Sequence, residues 1–118
     1  MSHESEVSAS VVWESCRGEV SELSFQFLND HALLIRLLQS CSRRFDDSCE
    51  VSQCKQFEPQ GLSVVLMGGE TSLVLHTWPE LGVATLDVSA KSEFAKALFS
   101  ECFSVLRAKR TGLCASTG

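Results

Sequence analysis

Apolar and polar residues alternate in short runs along much of this chain, and the period becomes helical in two places. Val7 to Glu14, ending in Val-Val-Trp-Glu, predicts a first strand; Arg17-Gly18 then leads into a polar stretch that selects neither helix nor strand. Asn29 or Asp30 can cap a helix whose Leu33, Leu34, Leu37, Leu38 and Cys41 fall on one face, with Arg43 and Arg44 suited to its negative C-terminal end. After the Asp46-Asp47-Ser48 turn, Cys49 to Phe57 predicts a strand that ends at Pro59-Gln60-Gly61. Leu62 to Met67, Ser72 to Thr77 and Val83 to Val88 predict three more strands, divided by Gly68-Gly69 and by Trp78-Pro79-Glu80-Leu81-Gly82. Ser92 can cap a C-terminal helix with Phe94, Leu98, Phe99, Cys102, Phe103 and Leu106 as its apolar stripe, closed by Arg107, Lys109 and Arg110.

The order β, α, β, β, β, α predicts an α/β two-layer sandwich, an antiparallel sheet with two helices on one face. The uncovered face then calls for a partner, and a second copy of the chain is the simplest one. One domain is expected over residues 9–110, between a flexible N-terminus (1–8) and a flexible tail (111–118).

Composition narrows the function. Apolar residues are 44% of the 118 and charged residues 21%, the balance of a folded globular chain. A net charge of −5 with no basic block argues against nucleic acid or an anionic membrane as partner and suits a small cationic ligand. No apolar run is long enough for a membrane span, and the acidic, serine-rich start lacks signal-peptide features, so a cytoplasmic location is expected. Cys16, Cys41, Cys49, Cys54, Cys102 and Cys114 match no zinc spacing; they read as small core or surface residues, and no metal is expected.

The chemistry concentrates in Gly68-Gly69-Glu70-Thr71-Ser72-Leu73-Val74-Leu75-His76-Thr77-Trp78-Pro79-Glu80, followed by Gly82, Ala84 and Asp87. Taken alone, this pattern is a hairpin in which Thr71 and Ser72 follow a glycine turn and His76 is a core or edge histidine. The particular string Glu-Thr-Ser-Leu-Val-Leu-His-Thr-Trp-Pro-Glu, however, closely resembles the self-processing segment of the short, prokaryotic S-adenosylmethionine decarboxylases. Upstream, Phe57-Glu58-Pro59-Gln60-Gly61-Leu62-Ser63 resembles the family's Phe-x-Pro-x-Gly-x-Ser. The likeness covers residues 9 to 108 and is densest from Phe57 to Asp87.

The resemblance implies a pyruvoyl-dependent enzyme of polyamine (spermidine) synthesis, made as an inactive chain. A hydroxyl attacks the preceding glutamate carbonyl, the peptide becomes an ester, and elimination leaves a ketoacyl group that decarboxylates an amino acid through an imine. The bond cut here would be Glu70-Thr71. Ser63 and His76 would assist processing, by an oxyanion contact and by proton transfer, both converging on that bond; Phe57 and Glu80 would hold the substrate's adenine and ribose.

Two positions depart from the family. Thr71 stands where the family has serine; its methyl restricts χ1 and crowds the tetrahedral intermediate, so the chain is expected to stay mostly uncut, and the product of any cut would be a 2-oxobutyryl group in place of pyruvoyl. Ser72 is out of register with His76 and is a poorer nucleophile candidate. Lys91 replaces the catalytic cysteine that returns a proton to the substrate carbon; its amine would need a lowered pKa to do so and could instead condense with the ketone. Expected partners are S-adenosylmethionine or a relative such as ornithine or arginine, and a second chain in a homodimer or in a heteromer with a paralogue. The alternative function is an unprocessed, catalytically silent homologue, with no cofactor, that binds and regulates an active paralogue.

Overall fold

The computed structural model describes residues 13–110. The strand expected from Val7 falls outside them as far as Val12, as do the N-terminus, the tail and Cys114. Strand β1 instead runs Trp13–Val20, followed by a four-residue helix α1 (Phe25–Leu28) and by α2 (His31–Arg43). Strands β2 (Glu50–Gln56), β3 (Leu62–Met67), β4 (Thr71–Trp78) and β5 (Val83–Lys91) follow, and α3 (Ser92–Arg107) ends the described chain.

Local chemistry sets these boundaries. Ser24 caps α1 by accepting a hydrogen bond from Phe27 N–H, and Asp30 caps α2 by accepting one from Leu33 N–H. Ser92 is not the cap of α3: Lys91 holds that position without a side-chain cap bond, and Ser92 is the first helical residue. A turn of 3₁₀ helix, Pro79–Leu81, joins β4 to β5.

The five strands form one sheet in the order β1-β5-β4-β3-β2, every neighbouring pair antiparallel. Along β4 the side chains of Thr71, Leu73, Leu75 and Thr77 are buried, while those of Ser72, Val74, His76 and Trp78 are not. This two-residue period gives the sheet a covered face and an open face. Helices α2 and α3 both pack on the covered face, closing a core that includes Leu34, Leu38, Leu66, Leu75, Leu86 and Leu98.

Of the expected α3 stripe, Leu98, Cys102 and Leu106 are fully buried, whereas Phe94, Phe99 and Phe103 are only partly so. Phe99 and Phe103 stack at 4.9 Å over Gly18, where an added Cβ would lie 2.6 Å from the Phe103 ring. Leu98→Ala should therefore cost about 2–5 kcal/mol in urea unfolding, more than the same change at Phe99; a loss under about 1 kcal/mol would mean that α3 does not close the core.

The five cysteines among the described residues are free thiols. Cys102 on α3, aided by Arg44, lowers the pKa of the Cys41 thiol on α2, while Cys41 and burial push Cys102 up.

Candidate active site

The hairpin β3-β4 carries the chemically interesting side chains. Its register sets Ser63 directly across from His76, and Ser63 Oγ lies 2.8 Å from His76 Nδ1 on the open face. Below this pair the chain closes a cleft of about 290 Å³, lined by Phe57, Gln60, Leu62, His76, Trp78 and Glu80 among others. Gln60 Nε2 donates to Glu80 Oε1 at 3.2 Å, fixing the carboxylate at the rim, and the His76 and Trp78 rings lie 6.0 Å apart. Phe57 and Trp78 are exposed apolar rings, 45% and 39% accessible, so the cleft offers two aromatic faces beside a carboxylate. An adjoining hollow of about 500 Å³ is lined by Gln53, Lys55, Phe57, Ser63 and Val65.

The Glu70-Thr71 bond lies at the other end of β4, where the Gly68-Gly69 loop enters the strand. Thr71 is 1% exposed and its side chain points to the covered face. Its Oγ1 donates to Asp46 Oδ2 at 3.3 Å and touches Cys49 Sγ at 3.4 Å. Asp46 also accepts from Glu70 N–H at 2.9 Å and from Ser48 Oγ at 2.5 Å. The Ser48 bond, then the Glu70 amide, holds the Asp46 carboxyl below the usual carboxylate range, so it is ionised at neutral pH. Lys91, at the end of β5, faces the open side and pairs with Glu70 Oε2 at 3.0 Å.

Within one chain, then, the expected site residues form two groups. Phe57, Ser63, His76 and Glu80 gather at one end of β4; Glu70, Thr71 and Lys91 gather at the other. His76 lies five residue steps along the strand from Thr71, about 17 Å at roughly 3.3 Å per residue. The expectation that Ser63 and His76 meet the Glu70-Thr71 bond is therefore not met inside a single chain, because an extended strand cannot fold back on itself. Sequence reasoning also missed Asp46, which it took only as a turn residue.

Among the described residues no group of three or more His, Cys, Asp or Glu could hold a metal ion, and no helix is long and apolar enough to cross a membrane.

Comparison with known proteins agrees with the motif. A family model described as S-adenosylmethionine decarboxylase matches residues 14–114. The S-adenosylmethionine decarboxylase proenzyme of Pelotomaculum thermopropionicum is 36% identical over 72 residues, covering 59% of this chain and 56% of that one. The proenzyme of Moorella thermoacetica is 35% identical over 74 residues with the same coverage, and that of Prochlorococcus marinus 32% over 78, covering 66% and 62%. The chain thus spans about half the length of the relatives it matches. The crystal structure of the adenosylmethionine decarboxylase from Aquifex aeolicus superposes with a TM-score of 0.68 at 20% identity, over 81% of both chains, and so shares the fold. With the family model spanning nearly the whole chain, this protein belongs to the S-adenosylmethionine decarboxylase family.

Proposed function

We propose that the chain cuts itself slowly between Glu70 and Thr71 and uses the resulting 2-oxobutyryl group to decarboxylate S-adenosylmethionine for polyamine synthesis in the cytoplasm. The Ser63-His76 contact beside the Phe57-Trp78-Glu80 cleft is the observation that carries this reading. A sulfonium cation attached to adenosine suits such a cleft: aromatic faces attract the cation, and a fixed carboxylate accepts hydrogen bonds from ribose hydroxyls. The ketone, once formed, supplies the electron sink for loss of carbon dioxide.

The two ends of β4 suggest how the site is completed. A second copy placed antiparallel over the open face would lay its His76 end against the Glu70-Thr71 end of the first, supplying from the partner what one chain cannot. Val65, Val74 and Trp78 lie on that face and give such a pair apolar surface to bury.

Lys91 has a role before the cut and another after it. Paired with Glu70, its ammonium holds the residue that becomes the new carboxyl terminus; after the cut it stands where a proton must reach the substrate carbon. The chain carrying both Thr71→Ser and Lys91→Cys should release labelled carbon dioxide from carboxyl-labelled S-adenosylmethionine faster than the Thr71→Ser chain alone. A fully cut double variant that releases none, from this substrate or from ornithine or arginine, would refute the decarboxylase reading.

A further inference from the structure

We propose that Asp46 is the base that takes the Thr71 hydroxyl proton during self-cutting, a step that rests on the self-processing reading above. The Thr71 side chain faces the helix-covered side of the sheet, and His76 faces the open side. Whatever removes the hydroxyl proton must therefore stand on the covered side. Two titratable groups touch Thr71 Oγ1 there, Asp46 and Cys49, and the hydroxyl donates its single proton to Asp46 Oδ2.

The surroundings of Asp46 are built around this contact. Oδ2 also accepts Glu70 N–H, so one oxygen holds both the nucleophile and the residue it attacks. Oδ1 accepts from Ser48 N–H at 3.1 Å and from Ser48 Oγ, and Ser48 Oγ in turn accepts Gly69 N–H at 3.0 Å, locking the carboxylate's plane. Gly68 makes room for it: a Cβ there would lie 2.5 Å from Oδ2 and 2.9 Å from Ser48 Oγ. A side chain at position 68 would push the carboxylate off the hydroxyl.

The step balances without an outside reagent. Thr71 Oγ1 bonds to the Glu70 carbonyl carbon as its proton passes to Asp46, and the carbonyl π pair moves onto its oxygen. Collapse of this oxyanion breaks the carbon-nitrogen bond, and the Asp46 proton passes to the freed Thr71 nitrogen. The product is an ester with a free amine, isomeric with the starting peptide, and Asp46 returns to carboxylate. The Thr71 Cα proton then passes to the partner's His76 in the pair proposed above, the C–H electron pair forms the Cα=Cβ bond and the Glu70 carboxylate leaves, and water hydrolyses the resulting enamine's imine tautomer to ketone and ammonia.

The test compares full-length chains in the parent and Thr71→Ser backgrounds, scoring the cut fraction against time by intact mass. Asp46→Asn keeps the shape and, with its amide oxygen toward Glu70, that contact, at the cost of the Ser48 N–H bond; it cannot take a proton, and should slow cutting about 100-fold or more in a chain that still melts cooperatively. Asp46→Ala should be slowed likewise and be partly rescued by added formate, which a purely structural role would not allow. Cutting by Asp46→Asn within about twofold of its background, or faster, would overturn the assignment. So would lost cutting without formate rescue in a folded Asp46→Ala chain, since Asp46 would then only build the turn. If neither the parent nor Thr71→Ser cuts, and both behave as Thr71→Ala, self-processing itself fails and the role of Asp46 falls with it.

Discussion

Mixing a His76→Ala chain with a Thr71→Ala chain should restore cutting that neither shows alone. His76 lies about 17 Å along β4 from the bond it is proposed to serve, so in a pair of identical chains each bond would be served by the partner's histidine. The His76→Ala protein lacks that group in both subunits and should cut about 10²–10⁴-fold more slowly than the unaltered chain. Thr71→Ala has no nucleophile and should not cut. In the mixed pair, the open-face side of the intact Glu70-Thr71 bond of one chain would lie beside the intact His76 of the other, and one of the two chains should be cut. Co-expression of differently tagged chains, followed by intact mass, identifies which one. Only the His76→Ala chain should yield fragments; no fragments in a verified mixed pair would mean that the histidine does not act across chains.

Replacing Thr71 with serine should raise the rate of cutting about tenfold, the equivalent of ~1.4 kcal/mol off the barrier. The β-methyl of Thr71 is packed at 1% exposure against the covered face, so rotation of the hydroxyl toward the Glu70 carbonyl must move that methyl through filled space. Serine removes the obstruction and leaves the Asp46 contact available. The smaller fragment would then begin with pyruvoyl in place of 2-oxobutyryl, which mass separates by one methylene. An unchanged rate would indicate that formation of the ester is not the slow step.

Strands β3, β4 and β5 were legible because each buries every second side chain, leaving the two-residue period in plain view. Strand β1 was not. Its inward positions are Cys16, Gly18 and Val20, and Gly18 replaces a side chain with space that the Phe99 and Phe103 rings occupy, so the apolar alternation is broken at its centre. Helix α1 is four residues long and too short to show a period. The Ser63-His76 pair and the cleft residues were legible from their motif, and strand pairing brings them together. Their distance from Thr71 was not legible, because a motif gives spacing in sequence and only the extended strand turns five residues into a separation. Asp46 was hidden for a related reason: it reaches Thr71 across 25 positions, through a loop whose fit depends on the missing side chain of Gly68.

The most direct test is the intact mass of the unaltered purified chain, followed over days. Slow conversion of the 118-residue chain into fragments of 70 and 48 residues is expected, the larger ending in Glu70. The smaller should be lighter by one ammonia than a fragment with a free Thr71 amine, and a hydrazine reagent should label its new ketone. A single unchanging mass, identical in behaviour to Thr71→Ala and unreactive to the reagent, would contradict it and leave the chain as the unprocessed, silent member of its family.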